Sequence, residues 1–558
     1  MKPYYITTPI YYVNDRPHIG HCFTTLVADA AARFQRLARG RSVPHDDSSK
    51  AVFFLTGTDE HADKVVTSAA AHGTTPLEWA DRNAAAFREA FASLETTHDD
   101  FIRTTEDRHT SKVPAYIAAL QASGDIYRGK YTGWYDEGQE EYLTETAAKE
   151  AGYQSPVTGR PLVRRTEDCY FFRLSAYQQA LLDHIRDHPD FVRPENRRSE
   201  VLGRLRQGLN DVPISRPVTD DPATQWGIRM PGDPAHRIYV WIDALFNYLS
   251  AVDTPARRRF WPADVHLIGK DILWFHAVIW PALLLALRKN PDYRDWLELP
   301  RCVFGHGWWV AEGQKMSKSL GNFIDLPRLR AYADRYSLDA LRWYLLTQGP
   351  LAGTDADFSH ARFVEVYNAD LANGVGNSVS RVANMIVRYF DGLVPPFREG
   401  AAGLDADPAT PSDLPYVCRA SVEQARASFD AFDIPGALRL GTDLVARVDL
   451  FINQTQPFRL AKDPAARDRL ADILYTCAES LRIASLLLSP AMPRRMARLW
   501  RDWNCHPRLL DPRPDTSLPT LEELARFAGP HALKPGQPIA RGDPLFMRAD
   551  PAETPPMP

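Results

Sequence analysis

The sequence predicts an α/β fold: a Rossmann-like parallel sheet split by a connective insertion and followed by an α-helical bundle. Three observations predict it. Apolar strand-like runs alternate with amphipathic helix-like runs in the N-terminal part of the chain. From about 112 to 235 the texture changes to short strand-like pieces with glycine turns, after which apolar runs resume. Beyond 360, long segments of helical period dominate. At 558 residues the chain exceeds what one core accommodates, so two or three domains are expected.

Taken in order, "YYITTPIYYV" is rich in β-branched and aromatic residues and reads as a strand, with "FTTLVADAAARFQRL" as the helix after it. "AVFFLTGTDE" and "EWADRNAAAFREAFASL" repeat the pair, which makes βαβ units and a parallel sheet. "RSVPHDDSSK", at 41–50, is polar with turn formers and reads as a surface loop without recognisable chemistry. In the insertion, "YRGKYTGWYDEGQEEYLTE" and "GYQSPVTGRPLVRRTEDCYFFRL" supply the short strands. "RIYVWIDALFNYL" and "DVHLIGKDILWFHAVIWPALLLAL" then restore the apolar texture. "ARFVEVYNADLANGVGNSVSRVANMIVRYF", "SVEQARASFDAFDIPGALRLGTDLVARVDLFINQ" and "DRLADILYTCAESLRIASLLLSP" make the bundle. Past about 511 the chain is Pro-rich and reads as extended or partly disordered, with "PLFMRAD" a candidate short strand.

Composition excludes several classes. A content of 44% hydrophobic and 24% charged residues is ordinary for a globular protein, and no apolar run approaches a membrane span. The N-terminal "MKPYYITTPIYYV" lacks the apolar core and cleavage site of an export signal. Six singly scattered cysteines without a CxxC pair argue against both a disulfide framework and a thiolate zinc site, and point to reduced thiols in a cytoplasm. A net charge of −4 gives no global pull toward polyanions, so any nucleic acid must be met by local patches. "RPENRRSEVLGRLRQ" and "PRRMARLWRDW" are candidates, although charge alone favours solvated helix faces for both.

Two motifs carry chemistry. In "NDRPHIGHCF", His18 and His21 flank Ile19 and Gly20 where a strand gives way to a helix. A helix N-terminus offers unpaired N–H groups and partial positive charge, Gly20 lets a ligand approach the backbone, and the imidazoles can donate to a nucleotide phosphate. In "GQKMSKSLGN", Lys315 and Lys318 stand among small polar residues in a loop, where ammonium groups can close over a polyphosphate. Each has alternatives: metal ligands or ordinary surface histidines for the first, and two solvated lysines in an exposed loop for the second. Their joint occurrence, one early and one late in a split α/β fold, is far rarer than either alone and favours a nucleotide polyphosphate.

"HIGH" at 18–21 and "KMSKS" at 315–319 resemble the two signatures of the class I aminoacyl-tRNA synthetases. "TTPIYYVNDRPHIGH", "LTGTDEHADKV", "FIRTTEDRH", "YFFRLSAYQQ", "YVWIDALFNYLSA", "HLIGKDILWFHAVIWPALLLA" and "YNADLANGVGNSVSR" extend the resemblance to the methionyl-tRNA synthetase family, over roughly residues 3 to 510. The resemblance implies a Rossmann catalytic domain in two halves (1–111 and 236–300) around the connective insertion (112–235). A stem-contact region with the KMSKS loop (301–360), an α-helical anticodon-binding domain (361–510) and the Pro-rich tail (511–558) follow. It implies a two-step reaction, in which methionine and ATP give methionyl-adenylate and pyrophosphate, and the methionyl group then passes to the 3′-terminal adenosine of tRNA(Met).

By the same resemblance Asn14, His18, Gly20, His21, Asp271, Lys315 and Lys318 contact ATP. Within that set His18, His21, Lys315 and Lys318 are catalytic through positioning and electrostatics, with Mg2+ on the β- and γ-phosphates. Ile10, Tyr12, Trp241, Tyr248, Phe275, His276 and Trp280 are implied around methionine, with Asp59 near its ammonium. The thioether would gain from aromatic contacts and from weak hydrogen bonds offered by Tyr248 and His276. For Phe275 and Trp280, at helical spacing in an apolar run, plain core packing is the competing assignment. Asn377 and Arg381 match anticodon-reading positions. Phe458 stands where the family usually has tryptophan, which predicts weaker or altered anticodon discrimination. Many relatives carry a four-cysteine zinc knuckle in the insertion, whereas here only Cys169 is present, so no structural zinc is expected and backbone hydrogen bonds of "SPVTGRP" should hold the turn. Without a C-terminal OB-fold module a monomer is expected. The alternatives are a synthetase for leucine, isoleucine, valine or cysteine, a small nucleotidylyltransferase, and a repurposed or non-catalytic tRNA-binding paralogue. The insertion is too small for an editing domain, and the cysteines are wrongly spaced for a zinc thiolate pocket.

Overall fold

The computed structural model describes residues 2–14, 16–40, 51–136, 141–143, 145–156, 158–311, 324–398, 413–505 and 519–552. The 41–50 loop and the KMSKS segment with Lys315 and Lys318 lie outside the described residues.

Strand β1 (Tyr4–Tyr12) feeds helix α1 (Ile19–Ala38), followed by β2 (Val52–Asp59) and β3 (Asp100–Arg103). Strand β4 (Val192–Arg193), helix α2 (Val240–Leu245), strand β5 (Val265–Gly269) and strand β6 (Val303–His306) complete the frame. The strands form one six-stranded, all-parallel sheet in the order β3-β2-β1-β5-β6-β4. All eight residues of β2 are buried, as expected of a parallel strand covered on both faces. Gly57 lets β2 and β3 approach, because a Cβ there would stand 2.0 Å from the Ile102 carbonyl oxygen. In β1 the register against β2 shifts between Thr7 and Ile10. Pro9, which has no N–H to give the ladder, sits in that bulge, and the shift re-aims the end of the strand.

The insertion differs from the sequence reading in one respect: β4, from the stretch counted with it, forms the far edge of the central sheet. Two residues carry too little pattern to be legible as a strand. The other strands of the insertion pair antiparallel, the longest pair being Ile126–Asp136 and Val163–Phe172, with helices Val113–Ala122, Gln178–Asp187 and Glu195–Leu205 among them. Its turn is held by Ser155 N–H to the Arg160 carbonyl (2.7 Å) and Gly159 N–H to the Ser155 carbonyl (2.9 Å), with Ser155 Oγ accepting from Thr158 N–H (2.9 Å).

One apolar core runs from α1 through helix Leu338–Gln348 into the C-terminal bundle, with the Phe34 ring of α1 stacked on Phe429 at 3.7 Å. The buried Arg342 ties these bodies together. Its guanidinium donates to Asp29 of α1 (2.7 Å) and to the carbonyls of Leu94, Pro490 and Ala491. In the bundle, the run read as one segment from 421 to 454 is two helices, Leu414–Asp430 and Ile434–Thr455, broken at Phe432 with φ +57°. The "PLFMRAD" segment forms no strand. Leu545 and Phe546 are buried against the bundle, and Asn368 exchanges two hydrogen bonds with the backbone of Ala549. Hydrophobic burial therefore holds this part of the tail without a ladder partner.

Candidate active site

A cavity of about 510 Å³ opens beyond the carboxyl ends of β1 and β5, the point where an open parallel sheet places its ligands. Ile10, Tyr12, Asn14, His18, Gly20, His21, Asp59, Trp241, Tyr248, Asp271 and His276 all line it.

The histidine segment is a helix cap. His18 is the N-cap of α1, with extended backbone, and its Nδ1 accepts from Gly20 N–H at 3.1 Å. His21 Nδ1 accepts from His18 N–H at 3.3 Å, completing a capping box. A backbone N–H can only donate, so both Nδ1 atoms are unprotonated, and Nε2 carries the proton in each neutral ring. The rings lie 3.8 Å apart. Desolvation, then the neighbouring His18, holds His21 well below the ordinary imidazole value, so it is neutral at physiological pH. Tyr11 and Phe87 meet the His21 ring edge-on at 4.9 and 5.2 Å and fix its plane.

The other wall is aromatic. Tyr12 and Trp241 meet edge to face at 5.8 Å, and Phe275 stacks on Trp241 at 4.2 Å from behind. Trp280 is wholly buried, donating from Nε1 to His266 Nε2 at 3.3 Å. Neither Phe275 nor Trp280 lines the cavity; both support residues that do. His276 lies in the wide π-type turn Phe275–Ile279, a rare geometry that re-aims side chains. Its Nδ1–H donates to the Ile272 carbonyl (2.9 Å), and its Nε2 accepts from the Tyr248 hydroxyl (2.7 Å). Burial lowers His276 to about 4 and keeps it neutral. The proton assignment thus differs from the sequence reading: the donors attributed to Tyr248 and His276 are already committed to protein acceptors, and the wall presents aromatic and apolar surface to the cavity.

Asp59, buried at the end of β2, pairs in register with Tyr12. The next residue, Glu60, is fully buried and takes a bidentate pair from Arg103 (2.7 and 2.9 Å) and hydroxyls from Thr58 and Thr105, which fixes this strand end. At the mouth, Asp271 accepts from Trp308 Nε1 at 3.1 Å, and Lys270 lies over the Trp308 ring at 4.4 Å while pairing with Asp355. Sequence reasoning missed Thr24, Asn247, His306 and Trp308, all lining residues. His306 closes β6 in "FGHGWW", and the rule that ligands sit at strand carboxyl ends was the available signal.

Comparison with known proteins decides the family. Residues 4–383 match the family model "tRNA synthetases class I (M)". The chain belongs to the methionine–tRNA ligases of class I. The methionine–tRNA ligase of Caldanaerobacter subterraneus subsp. tengcongensis is 40% identical over 554 residues, covering 98% of this chain and 79% of that one. The Bacillus subtilis ligase is 37% identical over 565 residues, covering 99% and 78%. A solved structure of Mycobacterium tuberculosis methionyl-tRNA synthetase in complex with methionyl-adenylate superposes with a TM-score of 0.83 at 36% identity, covering 98% of this chain and 100% of that one.

Away from the cavity, Asn377 is exposed at the start of helix Asn377–Phe390, after a second π-type segment, Tyr367–Gly376. One turn on, Arg381 reaches Asn453 Oδ1 at 3.2 Å on the helix that leads to Phe458, which is 43% exposed. No described helix is long and apolar enough to cross a membrane, and no group of three potential metal ligands occurs among the described residues.

Proposed function

We propose that the β1–β5 cavity is where this ligase joins methionine to AMP, with the polyphosphate of ATP at the cap of α1 and the methionine side chain against the Tyr12–Trp241 wall. The observation that carries this is the union, in one cavity, of a neutral imidazole pair protonated at Nε2 with an aromatic wall and the buried Asp59. The methionine ammonium is neutralised by Asp59, and its carboxylate attacks the α-phosphate. His18 and His21 donate from Nε2 to phosphate oxygens as charge shifts toward pyrophosphate, aided by Asn14 and the amino end of α1. Asp271, held by Trp308, borders the nucleotide side. Lys315 and Lys318 supply positive charge to the departing pyrophosphate. Mg2+ enters with the nucleotide as part of the substrate, because the described lining offers only Asp59 and Asp271 as carboxylates.

Asn377, Arg381 and Phe458 form the surface that reads the anticodon of tRNA(Met), a reading supported by the Arg381–Asn453 bond to the helix that leads to Phe458 and by the exposure of Asn377 and Phe458. Methionine-dependent ATP–pyrophosphate exchange by the purified chain, with leucine, isoleucine, valine and cysteine as competitors and no tRNA, tests the reading. Exchange with methionine alone is expected. A folded, ATP-binding protein without exchange would refute it.

A further inference from the structure

Behind the aromatic wall lies a buried hydrogen-bonded chain that the reaction does not use. The Asp243 carboxylate accepts from His61 Nδ1 at 2.6 Å and from His109 Nε2 at 2.8 Å, and His109 Nδ1 meets Ser250 Oγ at 2.7 Å. Asp243, His109 and Ser250 are essentially inaccessible, and His61 nearly so. The two histidines and the aspartate come from separate elements. His61 stands two residues past Asp59 at the end of β2, His109 lies in the short helix Asp107–Thr110, and Asp243 lies in α2, two residues past Trp241.

The arrangement has a directional logic. Trp241, Ala244, Leu245, Asn247 and Tyr248 line the cavity, whereas Asp243 turns away from it into the protein. Asp243 is the only charged residue of α2, and no arginine or lysine bridges it in the described ion pairs; two imidazole N–H groups satisfy its two oxygens. Burial alone would raise its pKa, but the two imidazoles outweigh that and hold it at about 2, so it is an acceptor at any working pH. The distance from Asp59 to Trp241 is therefore set by a two-residue step beyond the end of β2, the His61–Asp243 bond and a two-residue step along α2.

We propose that Asp243 is a positioning residue for the amino-acid substrate: through His61 and His109 it holds the Trp241 wall at a fixed distance from Asp59, and so sets which side-chain length fits. The proposal rests on the assignment of this cavity to methionine. It acts through hydrogen-bond geometry, which makes Asp243→Asn informative. An asparagine Oδ1 can accept from His61, and its amide can donate to His109 Nε2 once His109 moves its proton to Nδ1. Ser250 then accepts from His109 and donates to the Asn247 carbonyl, already 3.3 Å away. Asp243→Ala permits neither bond.

The test is ATP–pyrophosphate exchange by the full chain, with methionine, norleucine and ethionine as substrates. Wild-type exchange with methionine comes first, because its absence would overturn the cavity assignment and this proposal with it. For Asp243→Ala the KM for methionine should rise about tenfold or more, and the kcat/KM preference for methionine over ethionine should fall about fivefold, while kcat and the KM for ATP stay within about threefold. Asp243→Asn should recover the methionine KM to within about threefold of wild type. Loss of folded protein lowers every rate together and leaves the methionine-to-ethionine ratio unchanged, so the ratio separates positioning from stability. If Asp243→Ala does not fold, His61→Ala, which removes one of the two bonds at the less buried end, should shift the same ratio in the same direction. An unchanged ratio in every soluble variant, or an asparagine variant as impaired as alanine, overturns the proposal.

Discussion

Replacing Gly20 by alanine separates what the histidine segment does for stability from what it does for chemistry. A Cβ at residue 20 would lie 2.9 Å from Cε1 and 3.2 Å from Nδ1 of His18, closer than carbon–carbon contact allows. The obstacle is the end of a side chain, so the His18 ring moves and the backbone stays. The bond from residue 20 N–H to His18 Nδ1 is lost, a capping term of about 0.5–2 kcal/mol. Against it, alanine is favoured over glycine within a helix by about 0.8–1 kcal/mol. The two nearly cancel, so the unfolding temperature should move by less than about 4 °C. Activity should respond differently. The displaced ring takes its Nε2–H away from the phosphate position and disturbs its 3.8 Å partner, His21, and removing one pre-positioned donor of this kind costs about 10²–10³ in rate. Methionine-dependent ATP–pyrophosphate exchange should therefore fall by that factor, with the methionine KM unchanged, since Tyr12, Trp241 and Asp59 are untouched. Exchange within threefold of wild type, or a methionine KM that rises in step with the rate loss, would refute the reasoning.

Three further outcomes are expected. His276 is neutral in the folded state, at about 4 against an ordinary 6.5, so its contribution to stability is complete above pH 6.5 and is lost as pH falls toward 4, by up to about 3 kcal/mol; urea unfolding at stepped pH should show a shallower acid slope for His276→Gln. Arg342→Met leaves the buried Asp29 with Arg33 and Thr97 only and should destabilise the protein by about 3–5 kcal/mol, read by thermal unfolding at pH 7. Phe458→Trp, by adding stacking area and an indole N–H, should lower the KM for tRNA a few-fold and sharpen discrimination against altered anticodons in charging assays, and unchanged values would remove Phe458 from that surface.

The alternation of apolar strand and amphipathic helix made β1, α1 and β2 legible, because each buries a continuous face with its own period. Strand β4 was not legible, because two residues pairing with Val303 and Phe304 at a sheet edge leave no period to read. The tail shows the opposite error. "PLFMRAD" has strand-like residues, but the apolar surface available to Leu545 and Phe546 belongs to helices, so burial without a ladder won. In the site, many lining residues were legible from motifs, but Thr24, Asn247, His306 and Trp308 were not, and neither was the destination of each proton. Tyr248 and His276 are 28 positions apart, and only their 2.7 Å approach reveals that the hydroxyl proton is spent on an imidazole. The same limit hid the His61–Asp243–His109 chain, whose members are 182 and 134 positions apart.

That limit bears on how the histidine segment is understood. Two orphan N–H groups at the start of α1 need acceptors whatever the protein does, and His18 and His21 supply them through Nδ1. Serine or aspartate would cap the helix as well, but serine accepts and donates at one oxygen held close to the backbone it caps, and aspartate repels phosphate. An imidazole accepts at one nitrogen and donates at the other, so capping the helix and meeting an anion become a single arrangement of protons. Desolvation strengthens the coupling, since it holds His21 neutral and makes the Nδ1 acceptor available at physiological pH. On this argument a substitute at residue 21 must provide an acceptor toward the backbone and a donor toward the cavity at once. Asparagine and glutamine meet that condition and alanine does not, so His21→Gln should retain more exchange activity than His21→Ala although both lack the ring.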